Sequence, residues 1–199
     1  MRISEIFHSI QGEGPSMGRP ATFIRLAGCN LNCEGCDNQL KSWTEIPYVK
    51  LLEQLDSNRI IITGGEPTQQ IVELLELIDL LNEKGIEIHL ETNGTGQIPE
   101  ISLQKIDCIV VSPKRGSQVD FGFWASKENV HFKFVLGPAN WCWPNELLEA
   151  QVNLLPRNKV WIMPLGRDPN LPLARDAWDL AIRLGVNYSD RLHIRLMKR

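Results

Sequence analysis

Strand-like and helix-like runs alternate along almost the whole chain, and that order restricts the fold more than any other feature. Runs rich in β-branched and apolar residues predict strands at 22–26, 59–63, 87–91, 108–112, 131–136 and 160–163, with a last one at 192–196. Helical patterns fill the gaps at 48–55, 69–84, 146–152 and 175–184. The clearest is 69–84, where Ile71, Leu74, Leu75, Ile78 and Leu81 form one stripe, Glu73, Glu76 and Glu83 face away, and Gly85 is a natural stop. Repeated strand–helix–strand order implies a mainly parallel sheet. A complete eight-fold barrel takes about 250 residues. The 199 residues here therefore predict a shortened α/β fold: a reduced, partial TIM-like barrel with a mainly parallel sheet of about six strands. Residues 112–127 lack periodicity and read as an irregular excursion. No repeat or long linker interrupts the pattern, so a single domain over 1–199 is expected.

In such folds ligands sit beyond the carboxyl ends of the strands, and the chain's most specific motif lies there. Directly after the first strand, Cys29, Cys33 and Cys36 follow a Cys-x3-Cys-x2-Cys spacing with no fourth cysteine nearby. Thiolates bind soft metals, and a [4Fe-4S] cluster has four irons to satisfy. Three protein ligands leave one iron open to a small molecule. A structural zinc site instead closes with four ligands in paired spacings, and here the fourth would have to be a distant His8, His89, His131, His193, Cys108 or Cys142.

The totals exclude several other classes. Acidic and basic residues are interleaved with a net charge of −3, so no basic stripe offers a direct nucleic-acid surface. No apolar run is long enough to cross a membrane, and the opening Met1-Arg2-Ile3-Ser4-Glu5 turns acidic too early for a signal peptide. An odd number of cysteines, five with three clustered, fits a reducing cytoplasm better than a disulfide framework. Cys108 and Cys142 stand alone in apolar or aromatic surroundings and read as buried packing residues.

Further strand ends carry small polar groups. The second predicted strand runs into Gly64-Gly65-Glu66-Pro67, where glycines admit a close ligand and Glu66 can accept a charge-assisted bond from an ammonium. The next ends at Thr92-Asn93-Gly94, the following one at Ser112-Pro113-Lys114, and a later one at Met163-Pro164-Leu165-Gly166. Each taken alone is a turn or helix cap; together they point to one shared mouth. Ahead of the first strand lies Ser9-Ile10-Gln11-Gly12-Glu13-Gly14-Pro15, and Arg25 stands four residues before Cys29. Gln11 offers donor and acceptor, Glu13 two acceptors and Arg25 a bidentate fork. A planar, amide-rich ring carrying a carboxylate satisfies all three.

The cysteine spacing with Gly-Gly-Glu-Pro resembles the signature of the radical S-adenosylmethionine enzymes. Taken with the 9–15 segment, Phe-Ile-Arg-Leu-Ala-Gly before Cys29, Glu-Thr-Asn-Gly-Thr and Ser-Pro-Lys, the chain resembles the 7-carboxy-7-deazaguanine synthase family. The likeness in motifs covers about 5–114. It implies cleavage of S-adenosylmethionine to a 5′-deoxyadenosyl radical, which takes a hydrogen from C6 of 6-carboxy-5,6,7,8-tetrahydropterin. Ring contraction to 7-carboxy-7-deazaguanine releases ammonia and feeds queuosine-type pathways. It also implies a homodimer, magnesium, and a one-electron donor such as flavodoxin.

By position, the resemblance assigns Cys29, Cys33 and Cys36 to the cluster. Gly35, Asp37, Gly65, Glu66, Gly94, Ser112, Pro113 and Lys114, with Met163, Pro164, Leu165 and Gly166, fall to S-adenosylmethionine. Ile10, Gln11, Gly12, Glu13, Arg25, Thr92, His193 and the terminal Arg199 fall to the pterin, within and beyond an N-terminal substrate segment at 1–20. No side chain is expected to act as a catalytic acid or base. Asn38 departs from the threonine usual in the family at a magnesium position, although an amide oxygen can still ligate a hard cation. Met163 departs from a usual glutamine before the proline. The rival readings are a glycyl-radical-enzyme activase, for which Gln11, Glu13 and Arg25 would be idle, and a non-enzymatic metal-binding module.

Overall fold

Three successive isoleucines, Ile60, Ile61 and Ile62, are fully buried, as expected of a parallel strand covered on both faces. They belong to β4 (Arg59–Gly64) of a computed structural model that describes residues 1–36, 42–166 and 172–198. The chain divides into two compact units, Met1–Ser9 with Pro20–Ile109, and Ile10–Arg19 with Val110–Arg199.

In the first unit the strands are β1 (Arg2–Ile10), β2 (Pro20–Leu26), β3 (Thr44–Glu45), β4 and β5 (Glu87–Thr92), ordered β3-β1-β2-β4-β5. β2 pairs parallel with β4 (Thr22 opposite Ile60), and β4 with β5 (Ile60 opposite Ile88). β3 pairs antiparallel with β1. All three parallel strands therefore end on the same side, which brings the loops after Leu26, Gly64 and Thr92 together. The helices are α1 (Tyr48–Leu52), α2 (Ile71–Glu83) and the single turn α3 (Glu100–Leu103). α2 buries Leu74, Leu77, Ile78 and Leu81, an i, i+3, i+4, i+7 stripe. Leu77 takes the core place expected of Leu75, which is only half-buried; both fit a helical period, and the face that β5 meets decides between them.

β6 (Cys108–Val111) is the strand at which the chain passes into the second unit. There follow α4 (Phe121–Ala125), β7 (Val130–Leu136), α5 (Asn145–Val152), β8 (Val160–Pro164), α6 (Pro172–Leu184), β9 (Asn187–Tyr188) and α7 (Leu192–Arg195). β7, β8 and β9 are parallel neighbours, with Val135 opposite Met163 and Ile162 opposite Tyr188. Phe132, Phe134 and Trp124 are fully buried. Among the described residues no helix is long and apolar enough to cross a membrane.

The mainly parallel α/β arrangement agrees with the sequence expectation, with nine strands among the described residues where about six were read. The additions are half-exposed or two residues long: β1 fully buries only Ile3, and β3 and β9 are dipeptides. The strand expected at 192–196 is the helical turn α7. Its apparent alternation has no buried face, since Leu196 is 65% exposed, and the amides of Ile194 and Arg195 bond back to the Arg191 carbonyl. The irregular stretch at 112–127 contains α4, which the Asp120 side chain caps by accepting from the Phe123 amide at 2.8 Å.

Candidate functional site

Within the first unit the cysteine loop packs directly onto the Gly-Gly-Glu-Pro turn. The Glu66 amide donates to the Gly28 carbonyl at 2.8 Å, and the Gly65 amide to that of Leu26 at 3.0 Å. A Cβ built on Gly65 would land on the Gly28 carbonyl and lie 3.1 Å from Cys29 Cβ, so only glycine allows this approach. Cys29 is exposed, Cys33 and Cys36 are half-exposed, and none of the three is in a disulfide. The Cys36 amide turns back onto the Cys33 carbonyl at 3.2 Å, with Gly35 in the left-handed region at φ 69° between them. Among the described residues no three His, Cys, Asp or Glu side chains converge to hold one ion.

Several of the distant residues that a zinc site would have to draw on have other surroundings. His89 bonds Glu87 at 2.8 Å, His131 lies 3.4 Å from the Trp161 indole nitrogen, and Cys142 packs with Val135 and Met163. Cys108 is buried, and burial pushes its thiol up to about 12.

Glu66 is fully buried, and its carboxylate holds two loops together. Oε1 accepts from the Thr68 amide (3.1 Å), the Thr68 hydroxyl (2.8 Å) and the Thr92 hydroxyl (2.7 Å). Oε2 accepts from the Asn93 amide at 2.7 Å. A carboxylate oxygen has about two acceptor positions, so Oε1 is filled while Oε2, with one donor, keeps a further position. The carboxylate caps the turn at 67–70 and braces the β5 end, and Oε2 is the atom suited to the acceptor role expected toward an ammonium. Thr92, expected at the pterin, also accepts from the Gly94 amide at 3.0 Å. Asn93 ties the β5 end to the cysteine loop, donating from Nδ2 to Asn30 Oδ1 at 2.9 Å. Arg25, on β2, has Nε 3.4 Å from Glu5 and its guanidinium 5.8 Å over the Phe7 ring, which leaves the far edge of the fork as the part suited to a carboxylate.

Within the second unit the N-terminal segment and the C-terminal turn are knitted together. The Leu192 amide donates to the Gly12 carbonyl at 3.0 Å and the Gly14 amide to Ser189 Oγ at 2.8 Å. A Cβ on Gly12 would strike the His193 ring. Buried Gln11 accepts from the Glu13 amide at 3.1 Å, while Ile10 is 47% exposed. Glu13 receives Lys133 Nζ on Oε2 at 2.6 Å and Arg191 Nε on Oε1 at 2.9 Å, with His193 Nε2 at 3.9 Å. Burial alone would push this carboxyl up; Lys133 and then Arg191 outweigh it and hold Glu13 down at about 2. The two acceptors that the sequence assigned to a ring thus each already hold one cation.

Neither Lys133 nor Arg191 was singled out from sequence. A signal existed for Lys133: a lone cation between Phe132 and Phe134 in a strand otherwise apolar from Phe132 to Leu136 marks a buried charge needing a partner.

Lys114 Nζ folds back to the Ser112 carbonyl and hydroxyl, both at 2.8 Å, and lies 5.4 Å over the Trp141 ring. Trp143 Nε1 donates to the Pro113 carbonyl at 2.8 Å, so the loop after β7 fixes Ser112, Pro113 and Lys114. Met163 is buried with Val135 and Cys142, so its side chain belongs to the core. Pro164 is buried and Leu165 packs against that cluster, while the Gly166 carbonyl accepts from Arg191 Nη1 at 3.2 Å. Asp37, Asn38 and Arg199 lie outside the described residues.

The donor set of three thiols beside a glycine cradle fits a cluster with one open iron. Residues 10–112 match the protein family described as a 4Fe-4S single cluster domain. The fold is similar to the crystal structure of QueE from Escherichia coli, with TM-score 0.72 and 24% identity over 95% of this chain and 92% of that one. It is also similar to Streptococcus suis SuiB bound to S-adenosylmethionine, with TM-score 0.54 and 16% identity over 81% and 44%. The first of these bears out the partial TIM-like barrel. Among curated proteins, the chain is 34% identical to the 7-carboxy-7-deazaguanine synthase of Hyperthermus butylicus, over 98% of this chain and 92% of the relative. It is 36% identical to that of Pyrobaculum aerophilum over 98% and 93%. With the cluster loop, the glycine cradle and this end-to-end similarity in place, the chain belongs to the 7-carboxy-7-deazaguanine synthase family.

Proposed function

We propose that this protein is a radical S-adenosylmethionine lyase that converts 6-carboxy-5,6,7,8-tetrahydropterin to 7-carboxy-7-deazaguanine and ammonia. The observation that carries the reading is the packing of the Cys29–Cys33–Cys36 loop onto Gly65 and Glu66, in a chain related end to end to synthases of that name. When bound, the reduced cluster and S-adenosylmethionine supply a carbon radical able to take hydrogen from C6 of the pterin.

The protein's part is to hold and orient. Cys29, Cys33 and Cys36 would hold the cluster by three of its irons, so that the fourth would be open to S-adenosylmethionine. Gly65 allows the ligand loop its close approach, and Glu66 with Thr92 and Asn93 sets the height of the neighbouring loop. Backbone groups at Gly35, Gly65 and Gly94, with Ser112, Pro113, Lys114, Pro164, Leu165 and Gly166, are the groups assigned to the nucleoside and methionine moieties. Gln11, Gly12, Glu13, Arg25 and His193 are assigned to the pterin, Arg25 to its carboxylate. Substrate and product balance without an external oxidant, because ring contraction expels one ring nitrogen as ammonia.

The same reading has residues 1–199 acting as a single domain in a cytoplasmic homodimer, reduced by a one-electron donor such as flavodoxin, with product passing to 7-deazapurine synthesis. A magnesium ion at Asn38 belongs to this proposal as well. The activase reading loses its ground, since the relatives that match end to end are deazaguanine synthases.

The substrate half is tested in Arg25→Ala. The variant is expected to keep its iron and lose pterin turnover; unchanged turnover would remove the pterin from the assignment.

A further inference from the structure

A lysine only 5% exposed, between two phenylalanines in sequence, calls for a reason, because an uncompensated ammonium there costs several kcal/mol by order of magnitude. Lys133 sits on β7 and places Nζ 2.6 Å from Glu13 Oε2. Arg191 approaches from the other side, with Nε 2.9 Å from Oε1. Arg191 is itself held, since Nη1 donates to the Gly166 carbonyl at 3.2 Å and its amide to Asp190 Oδ1 at 2.7 Å. Glu13 retains 15% side-chain exposure, so it is gripped from both sides without being sealed.

We propose that Lys133 and Arg191 are positioning residues for substrate recognition: they fix Glu13 as an ionised, oriented pair of acceptors for the two adjacent N–H donors of a pterin's aminopyrimidinone edge. The proposal rests on the pterin reading above. A carboxylate has about four acceptor positions, so one cation on each oxygen leaves each with a further lone pair. Two parallel acceptors match a ring N–H beside an exocyclic amino group. A protonated carboxyl would turn one acceptor into a donor and face that edge with the wrong polarity. Two cations against one anion keep the proton off, and their opposed directions fix the plane of the group.

The charged and titratable groups facing Glu13 are Lys133 from β7, Arg191 from the segment before α7, and His193 from α7. Asp190 stands behind Arg191 and is paired with Arg195 at 2.8 Å. Removing Lys133 takes away the strongest attraction that opposes burial, so the carboxyl then gains its proton at a higher pH.

The test is binding of 6-carboxytetrahydropterin to anaerobically reconstituted protein by equilibrium dialysis between pH 5.5 and 8, alongside steady-state kinetics. The wild-type Kd should carry no dependence on Glu13 across this range. In Lys133→Met the Kd and KM should rise by up to tenfold per pH unit on the acid side, with kcat unchanged. Lys133→Arg should restore the wild-type profile, and adding Glu13→Gln to Lys133→Met should abolish the acid limb. Should Lys133→Met fail to fold, Arg191→Gln provides the same readout. Wild-type binding with no acid limb in either variant overturns the proposal alone. A wild-type protein that binds no pterin at any pH overturns the functional reading and the proposal with it.

Discussion

Gly65→Ala places one methyl group where the cluster loop crosses the end of β4. The added Cβ would lie 2.5 Å from the Gly28 carbonyl carbon and 3.1 Å from Cys29 Cβ. Carbon atoms in contact sit about 3.5–4.0 Å apart, so the loop and the turn must separate by about 1 Å. That opening lengthens the Glu66 amide to Gly28 bond (2.8 Å) and the Gly65 amide to Leu26 bond (3.0 Å) beyond useful range. Two backbone bonds at about 1 kcal/mol each, with a further penalty if an amide stays buried and unpaired, give a loss of about 2–4 kcal/mol. In a chain of this size that corresponds to roughly 5–15 °C in Tm. The same displacement moves the first cluster ligand by an amount that costs on the order of 100-fold when reacting groups are misplaced. Thermal unfolding of the apo protein reads the first effect; iron and sulfide content with the visible absorbance of the reconstituted protein reads the second. Gly122→Ala is the control, because its Cβ meets only Asp120 Oδ1 at 3.5 Å and a helical alanine should stabilise slightly. Full iron loading together with a Tm within about 1 °C of wild type, a small shift on this scale, would refute the packing argument.

Other consequences follow from the same contacts. Glu66→Gln turns one acceptor oxygen toward the Thr68, Thr92 and Asn93 donors into an amino group, and should cost about 1–3 kcal/mol in urea unfolding. Leu77→Ala should cost about 2–5 kcal/mol, whereas Leu75→Ala should cost far less; equal losses would mean the α2 stripe is misplaced. Iodoacetamide at pH 8 should label Cys29, Cys33 and Cys36 of the apo protein rapidly and spare Cys108, whose thiol near 12 is ionised in only about one molecule in ten thousand; peptide mapping by mass spectrometry decides. Glu13 has a folded pKa near 2 against an ordinary 4.5. Its ion pairs therefore stabilise fully above about pH 4.5, and that contribution is lost as pH falls toward 2. The stability gap between wild type and Glu13→Gln should narrow over that window, and a constant gap would contradict the sign.

The parts of this molecule legible in sequence are those where one local rule dominates. β4 reads as Ile60-Ile61-Ile62 because both its faces are covered, and the cluster loop reads from cysteine spacing because ligand chemistry fixes it. α2 was legible as a helix but not in its facing, since Leu75 and Leu77 satisfy the same period and only the neighbouring strand chooses. α7 imitates a strand because Leu192, Ile194 and Leu196 alternate; it is a helical turn because Arg191, fixed through Glu13, presents its carbonyl to the following amides. Glu66 illustrates the limit for the site. Its motif marks the correct turn, yet the carboxylate is also tied to Thr68, Thr92 and Asn93, partners that include residues 26 and 27 positions away. Lys133 and Arg191 reach Glu13 across 120 and 178 residues, separations at which no local pattern carries information.

The most direct measurement of the central claim is anaerobic incubation of the reduced, reconstituted protein with 6-carboxytetrahydropterin and S-adenosylmethionine, followed by mass spectrometry and ammonia determination. The account predicts 7-carboxy-7-deazaguanine and ammonia in equal amounts, in excess over the S-adenosylmethionine consumed. Accumulation of 5′-deoxyadenosine with unchanged pterin would contradict it.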